Sequence, residues 1–314
     1  MMDARIVPTL ESLIRLQHEA RGFSFLHSQP VTSLLAGRRA SRIRGRGLAF
    51  EEIRAYRPGD DVRMIDWRAS ARTGRTQTRV FTEERDRPTL LVVNLTSATF
   101  FGTRHATKTA VIAQSAALAA WRGLQAGDRI GAVLFGDDGH EEHRPHRSRD
   151  GVMRILGAIA RRAAALAAAP PRPLSPDPLN AALRAAQAMV GHDWLILLVS
   201  DLQAAHAQSE AMLGMMTRHN DVVAIAVSDP LERALPAAPW RGVATDGRRV
   251  GVLDPGQGGL GAKVPEQHER RVTDLKRAGL RVQLPLLPIG TEEQAAPQLR
   301  RMLGAAAAPR RNGP

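Results

Sequence analysis

Short apolar segments alternate with longer stretches of helical pattern through most of this chain, and this alternation constrains the fold more than any other feature. Four segments rich in Val, Ile and Leu and bounded by turn residues are predicted as strands: Leu90–Leu95, Ile130–Phe135, Trp194–Val199 and Val222–Val227. Helical spacing separates most of them. Strands joined by helical crossovers run parallel, so the sequence predicts an α/β fold with a mostly parallel sheet and helices on both faces.

The same patterns predict the remaining elements. Helices are expected over residues 9–20, 106–125, 151–167, 205–219, 262–278 and 292–303, and another is expected to begin at Asp177. A polar edge strand is expected over residues 140–146, a hairpin arm over 76–84, a β-hairpin over 242–253 and a last strand over Leu280–Leu286. Gly279 is the expected end of the helix before that strand.

The domain organisation follows from these elements. Residues 1–88 are expected to form an N-terminal helix, a basic loop and a motif-rich segment that braces the sheet, and residues 89–230 to form the core. Residues 231–303 would complete the domain, and residues 304–314 would be a disordered tail. A chain of 314 residues is long enough to bury a core of this size.

Composition restricts the cellular setting and the chemistry. The chain has no cysteine, which excludes disulfides, thiol nucleophiles and cysteine metal sites and fits a reducing compartment. The apolar runs are far shorter than the roughly 20 residues that span a bilayer, and the N-terminus lacks a signal-peptide pattern. We therefore expect a soluble cytoplasmic protein without a membrane span.

The net charge of +13 raises the question of nucleic acid. Only Lys108, Lys263 and Lys276 are lysines, so nearly all the basic residues are arginine, and they are spread along the chain. One dense basic patch consists of Arg38, Arg39, Arg42, Arg44 and Arg46. It lacks the aromatic platform of single-strand binders, which favours a solvated loop or a protein-docking patch. Nucleic-acid or membrane-surface binding by this patch is the alternative hypothesis.

A dense block of charged and turn-forming residues precedes the first core strand. Its distinctive members are Arg54, Tyr56, Pro58, Gly59, Asp60, Asp61, Arg63, Asp66, Trp67 and Arg72. Pro and Gly predict a tight turn, the paired aspartates can cap the segment that follows, and the arginines suit bidentate pairing with the aspartates. We expect an internal brace with Trp67 packed beneath it, a partner-docking surface, or both.

This block, with Gly45, Gly47 and Phe50 ahead of it, resembles the bacterial family known as domain of unknown function fifty-eight. The segments GDRIG at residues 127–131 and SDPLER at 228–233 extend the resemblance over roughly residues 37–255. The resemblance implies a von Willebrand factor A-type domain that accompanies a MoxR-type AAA+ ATPase. It further implies an adaptor or assembly role with that ATPase and a client protein as partners.

Von Willebrand A-type domains hold Mg²⁺ through an Asp-x-Ser-x-Ser loop, a Thr on a second loop and an Asp on a third. At the corresponding positions this chain has Asn94, Thr96, Ala98 and Asp201, and Ser175 or Asp177 would stand on the second loop. Mg²⁺ prefers oxygen ligands with carboxylate charge. An amide and an alanine in place of two ligands predict a degenerate site, a hydrogen-bonded loop cluster and no cofactor.

Catalytic patterns are sparse. The ten histidines show no helical zinc-site spacing, and neither a nucleophile elbow nor a Walker loop occurs. We therefore expect a non-catalytic adaptor, not an enzyme.

Overall fold

The computed structural model describes residues 3–25, 48–57, 62–83, 87–235, 241–245, 247–254 and 260–303. The chain divides into two compact units. One consists of residues 1–39 together with 87–314, and the other of residues 40–86. The basic patch Arg38–Arg46, the turn Pro58–Asp61 and the tail 304–314 lie outside the described residues.

The described residues contain ten strands and nine α-helices. The strands are β1 Leu48–Ala55, β2 Gln77–Glu83, β3 Thr89–Asn94, β4 Ile130–Gly136, β5 Gly139–His146, β6 Leu195–Ser200, β7 Asp221–Ser228, β8 Gly242–Thr245, β9 Val250–Leu253 and β10 Leu286–Gly290. The helices are α1 Leu10–Arg15, α2 Trp67–Thr73, α3 Lys108–Gln125, α4 Arg149–Ala168, α5 Asp177–Met189, α6 Ala207–Met216, α7 Pro230–Arg233, α8 Leu260–Val282 and α9 Ala295–Leu303.

The larger unit is built on a six-stranded sheet with the order β10-β7-β6-β3-β4-β5. All neighbouring strands are parallel except β4 and β5, which are antiparallel. Within this sheet, the first strand in the sequence, β3, lies in the middle. Strands β4 and β5 follow on one side of it, and β6, β7 and β10 follow on the other. The order therefore reverses between β3 and β6, and ligands of such sheets bind at this reversal, beyond the carboxyl ends of the strands.

Helices cover both faces of the sheet, as predicted. Leu91 and Val93 of β3 belong to a core that is shared with α1, α3, α4 and α9. Leu90 and Val92 belong to a second core, against α5, α6 and α8. Side chains that alternate along a strand point to opposite faces, so the uninterrupted apolar run of β3 supplies both cores, and the strand is buried throughout.

The last strand differs from the prediction. Helix α8 continues through Gly279 to Val282, and β10 begins only at Leu286, so the predicted strand Leu280–Leu286 is wrong. Gly279 does not end the helix; its carbonyl accepts a hydrogen bond from the amide of Leu284 at 2.8 Å. A Cβ at Gly279 would lie 2.9 Å from the Leu284 oxygen, so glycine is needed here for close approach of two backbone segments. Gln283, with φ of 56°, makes the left-handed turn that follows the helix.

The smaller unit contains the hairpin of β1 with β2 and the short helix α2. Asp66 is the N-cap of α2, and its Oδ1 accepts the amide of Ala69 at 2.9 Å. Trp67 is 72% exposed, so the expectation that it packs beneath the motif is wrong. It is the first residue of α2, and the buried side of that helix carries Ala69. At 3.6 residues per turn, two residues that are two apart point to nearly opposite sides.

A separate two-stranded sheet pairs β8 with β9 in the larger unit, as the predicted hairpin over residues 242–253 requires. Gly247 lies in its turn with φ of 84°. Of the helices that the structure describes, none combines the length and the apolar character needed to cross a bilayer.

Candidate functional site

The carboxyl ends of β3 and β6 meet where the strand order reverses. The side chain of Asn94, the last residue of β3, is buried and donates from Nδ2 to Ser200 Oγ at 3.0 Å and to Asp201 Oδ1 at 3.3 Å. Its Oδ1 accepts from the amide and the hydroxyl of Thr96 at 3.0 and 2.8 Å. The structure thus brings together Asn94, Thr96 and Asp201, which lie 107 residues apart at most.

The amide of Asn94 is chemically matched to this position. It donates to a carboxylate on one side and accepts from Thr96 on the other, and an aspartate in its place would face Asp201 with a second negative charge. Like charges that are buried so close cannot both ionise without a cation between them. Asn94 therefore lets β3 and β6 approach each other through hydrogen bonds without adding a second negative charge.

Ala98 lies in a short 3₁₀ turn over Ser97–Thr99 and supplies no ligand atom. The turn is held by the Thr99 hydroxyl, which donates to the Thr96 carbonyl at 2.8 Å and lies 2.9 Å from the hydroxyl of Thr109. The hydroxyls of Thr96 and Thr99 are therefore used in hydrogen bonds that stabilise the loop.

Lys108 brings a positive charge to this edge, and it is almost fully buried. Its Nζ donates to Asp201 Oδ2 at 2.9 Å and to Glu232 Oε1 at 2.7 Å, and it lies 5.9 Å from the centre of the Phe101 ring. Burial acts to lower the pKa of Lys108, but the charges of Asp201 and Glu232 and their hydrogen bonds outweigh it, so the pKa lies above its usual value. Lys108 is the first residue of α3. We refer to Asn94, Lys108, Asp201 and Glu232 together as the Lys108 cluster.

The segment after β7 completes the cluster. Asp229 is the N-cap of α7 and Glu232 closes a capping box with it, so the side chain of Glu232 accepts the Asp229 amide with one oxygen and Lys108 with the other. Asp229 itself is fully buried and accepts bonds from Thr103, Thr291 and the amide of Leu231. Burial acts to raise the pKa of Asp229, yet these hydrogen bonds hold it below its usual value.

The second predicted loop also reaches this edge. Ser175 lines one pocket with Asn94, Thr96, Ala98 and Asp201. Asp177 does not line that pocket; its carboxylate accepts the hydroxyl of Ser175 at 3.0 Å. Of the two candidates for this loop, Ser175 is therefore the one at the pocket wall.

The residues present do not fit a divalent metal. Asn94 turns its amide hydrogens, not its oxygen, towards Asp201, and Ala98 has no donor atom. Both carboxylate oxygens of Asp201 are already engaged, Oδ2 by the Lys108 ammonium group and Oδ1 by Asn94 and the amide of Gln203. Among the described residues no group of three or more His, Asp or Glu side chains is arranged to hold a metal ion.

Sequence reasoning missed Lys108, Glu232 and Asp229, although signals for them exist. Lysine is unfavourable in the first turn of a helix, where the helix dipole is positive, and a lysine that begins a helix of small apolar residues therefore calls for carboxylate partners. The D-x-x-E spacing of Asp229 and Glu232 is a capping-box pattern. Neither signal identifies the partners of Lys108, because Asp201 and Glu232 lie 93 and 124 positions away from it in the sequence.

Comparison with known proteins identifies relatives of unknown activity. A family model described as "Protein of unknown function DUF58" matches residues 52–247. The uncharacterized protein Rv1480 of Mycobacterium tuberculosis and the uncharacterized protein Mb1516 of Mycobacterium bovis are each 28% identical over 208 residues, which is 66% of this chain. The matched region spans 63% of the length of these curated relatives.

Two solved structures are similar at low identity. An aerotolerance-related membrane protein of Bacteroides fragilis is 12% identical, with a TM-score of 0.37, over 69% of this chain and 98% of that one. A conserved hypothetical protein, BatB, of Bacteroides thetaiotaomicron is 10% identical, with a TM-score of 0.33, over 62% of this chain and 98% of that one.

Proposed function

The chain belongs to the family described as protein of unknown function DUF58, and from that premise we propose that it is a non-catalytic adaptor that binds a partner protein through a von Willebrand A-like domain. The partner we propose is a MoxR-type AAA+ ATPase together with its client, as the resemblance in the motif block implies. The strand order, with its antiparallel β5 at one edge, and the polar loops after β3 and β6 support the von Willebrand A-like part of the proposal.

The chemistry of the Lys108 cluster favours binding over catalysis. An acid, base or nucleophile must reach a substrate with its reactive atom. The Lys108 ammonium group is instead paired with the carboxylates of Asp201 and Glu232 at 2.9 and 2.7 Å. The cluster is therefore suited to fixing the shape of the loops that surround it.

The observation that carries a protein-binding role is an apolar face on the hairpin of β8 and β9. Val243 pairs with Val252 across the hairpin, and Val250 lies two residues from Val252, so the three side chains share one face. They are 69–76% exposed. We call these three valines the hairpin face. Exposed apolar patches of this kind mark interaction sites, and a lone two-stranded hairpin is only marginally stable in water unless something packs on it.

The hairpin adjoins the loop that lines the pocket of the candidate site. A Cβ at Gly247 would lie 2.3 Å from the backbone carbon of Arg172 and 2.4 Å from the nitrogen of Pro173. Both residues line the pocket, as does Leu174, which is 54% exposed. A partner on the hairpin face would therefore lie next to the edge of the sheet where such folds bind ligands.

The charges around the hairpin indicate the partner's chemistry. Arg241 flanks the hairpin face, and Arg248 and Arg249 follow its turn. Residues 241–254 contain three arginines and two aspartates, so the net charge of this segment is +1, and Arg241 pairs with Asp254 at 3.0 Å. The complementary surface is apolar at its centre and acidic at its rim, because opposite potentials favour association.

The test is binding of the purified chain to the MoxR-type ATPase of the same genome, loaded with ATP and measured by biolayer interferometry. Replacing Val243, Val250 and Val252 together by Ser should weaken binding by about tenfold or more, as expected for loss of an interface centre. The control variant combines Met215→Ser and Leu280→Ser, which removes exposed apolar side chains from α6 and α8 and should change the affinity by less than about twofold.

Unchanged binding by the triple variant would exclude the hairpin face as the docking surface, and no binding by the wild-type chain would contradict the ATPase as partner. Duplex DNA serves as a second probe. Tight, steeply salt-dependent binding to DNA would favour the alternative role of the basic patch Arg38–Arg46.

A further inference from the structure

In the Lys108 cluster an ammonium group lies between two carboxylates, in the place that a cation would take in a metal site. Asp201 and Glu232 contribute two negative charges within 3 Å of one ammonium nitrogen, whose side chain is 4% exposed. A second cation, Arg271 of α8, donates to the carbonyl of Leu202, next to Asp201 in the chain. Burial lowers the pKa of Arg271, and the charges of Asp201 and Glu232 act against that effect, which places all of these groups within electrostatic reach of one another.

Lys108 and Arg271 balance the two negative charges of Asp201 and Glu232, so these four groups together are neutral. An added divalent ion would bring two further positive charges into a buried place where no carboxylate oxygen of Asp201 is unpartnered. It would have to displace the ammonium group of Lys108, whose side chain is only 4% exposed, from Asp201. These four groups thus leave no excess negative charge for an extra cation to neutralise, and this holds independently of the engaged amide oxygen of Asn94 and the missing ligand at Ala98.

The position of Lys108 is fixed by the start of α3. The hydroxyl of Thr107 caps the helix by accepting the amide of Ala110 at 3.1 Å, and the amide of Lys108 donates to the carbonyl of Phe101 at 2.7 Å. The side chain therefore leaves a rigid helix end and passes over the Phe101 ring to reach the carboxylates. A side-chain cation is present in every molecule, whereas the occupancy of an ion site depends on the concentration of the ion.

We propose that the ammonium group of Lys108 is a built-in cation that replaces the divalent ion of an oxygen-ligated loop site, so that the edge formed by β3, β6 and α7 holds its shape without metal. It bridges Asp201 at the end of β6 to Glu232 of α7, which an ion would otherwise have to do. Asn94 is the second part of the replacement, because its neutral amide adds no third carboxylate to Asp201 and Glu232. The ammonium group of Lys108 fills this role at the edge whichever protein binds there.

The first experiment uses the wild-type chain and needs no variant. Lys108 is one of three lysines, and Lys263 and Lys276 are exposed on α8. Reductive methylation of the native protein, followed by peptide mapping, should modify Lys263 and Lys276 and leave Lys108 unmodified, both in excess EDTA and in millimolar Mg²⁺. Modification of Lys108 at the rate of the other two, or its protection only when Mg²⁺ is present, would overturn the proposal.

The second experiment measures melting temperatures at matched ionic strength. Mg²⁺ or Mn²⁺ should not shift the Tm of the wild type, since a ligand that does not bind adds no stability. Lys108→Met should lower the Tm by at least about 6 °C, because it leaves the buried carboxylate of Asp201 and the partly buried carboxylate of Glu232 without their shared cation. The matched control Lys276→Met removes an exposed lysine and should leave the Tm unchanged.

The third experiment removes the ammonium group of Lys108 and introduces ligands for a divalent ion in its place. Lys108→Met combined with Asn94→Asp and Ala98→Ser supplies a carboxylate and a hydroxyl and removes the competing ammonium group. Mn²⁺ should then raise the Tm by about 3 °C or more, as expected for a ligand at ten times its Kd. A wild-type Tm that rises by the same amount, or a Lys108→Met variant as stable as the wild type, would refute the proposal even if the triple variant does not fold.

Discussion

Thr291 donates its hydroxyl to Oδ2 of Asp229 at 2.5 Å, and this bond links the segment after β10 to the segment after β7. The same carboxylate accepts the hydroxyl and the amide of Thr103, from the loop that precedes α3. A single buried carboxylate thus joins three loops at the carboxyl edge of the sheet. Residues 286–303 are held to the core by this contact as well as by strand pairing.

Asp229→Asn should destabilise the protein by about 1.5–3 kcal/mol, the range for hydrogen bonds to a charged group. The amide would present hydrogens to Thr103 or Thr291, which are donors themselves. Urea unfolding monitored by circular dichroism measures the loss. Asp274→Asn on the exposed side of α8 is the control, since Asp274 is 75% exposed, and it should stay within about 0.5 kcal/mol of the wild type.

The stability that Asp229 provides should depend on acid pH. Its pKa in the folded protein lies below the usual value, so its contribution is complete above the unfolded pKa of about 3.9 and is lost as the pH falls through the lower folded pKa. The difference in unfolding free energy between wild type and Asp229→Asn should therefore be constant from pH 5 to 7, about one to three units above that unfolded pKa, and shrink below it. A difference that grows on acidification would show that the folded pKa is raised instead.

Gly247→Ala should disturb the hairpin without unfolding the sheet. The position has φ of 84° and an added Cβ would meet the backbone of Arg172 and Pro173. We expect faster amide hydrogen exchange in β8, β9 and residues 172–175, weaker capture of the ATPase, and a nearly unchanged exchange rate in β3. Gly251→Ala is the matched control, because nothing lies within 4 Å of a Cβ there. Equal effects of both substitutions would mean that contact with the pocket loop is unimportant.

Asp66→Ala should weaken the smaller unit by about 0.5–2 kcal/mol, the usual effect of losing an N-cap. The amide of Ala69 would lose its acceptor, and α2 should exchange its amide hydrogens faster. Trp67→Ala is the comparison: since Trp67 is mostly exposed, its loss should change stability by less than about 0.5 kcal/mol. A larger effect of Trp67→Ala than of Asp66→Ala would restore the interpretation of Trp67 as a packing residue.

The sequence contained enough information for the sheet and for one half of the site. The apolar runs of β3, β4, β6 and β7 are short and bounded by turn residues, and parallel strands bring their carboxyl ends together. Asn94 and Asp201 could therefore be placed side by side. The stretch from Leu280 to Leu286 was ambiguous, since a short apolar run fits a strand and the end of a helix equally well, and the close approach of Leu284 to Gly279 decides between them only in three dimensions.

The other half of the site consists of the ion pairs of Lys108 with Asp201 and Glu232, which the local sequence pattern does not encode. Lys108 resembles any surface lysine until the ends of β6 and β7 are placed beside α3. The unfavourable position of a cation at a helix N-terminus shows that a partner is needed. Which of the 31 acidic residues supplies it follows only from the topology.

The bridge from Lys108 to Glu232 also has a consequence for synthesis of the chain. The two residues are 124 positions apart, so at about 5–20 residues per second Lys108 is added to the chain roughly 6–25 s before Glu232 is added. During this interval the ammonium group remains hydrated, because a charged group without partners is too costly to bury. The leading end of α3 is therefore kept in water on the nascent chain, and the helix can settle on its sheet only after translation has passed both acidic residues.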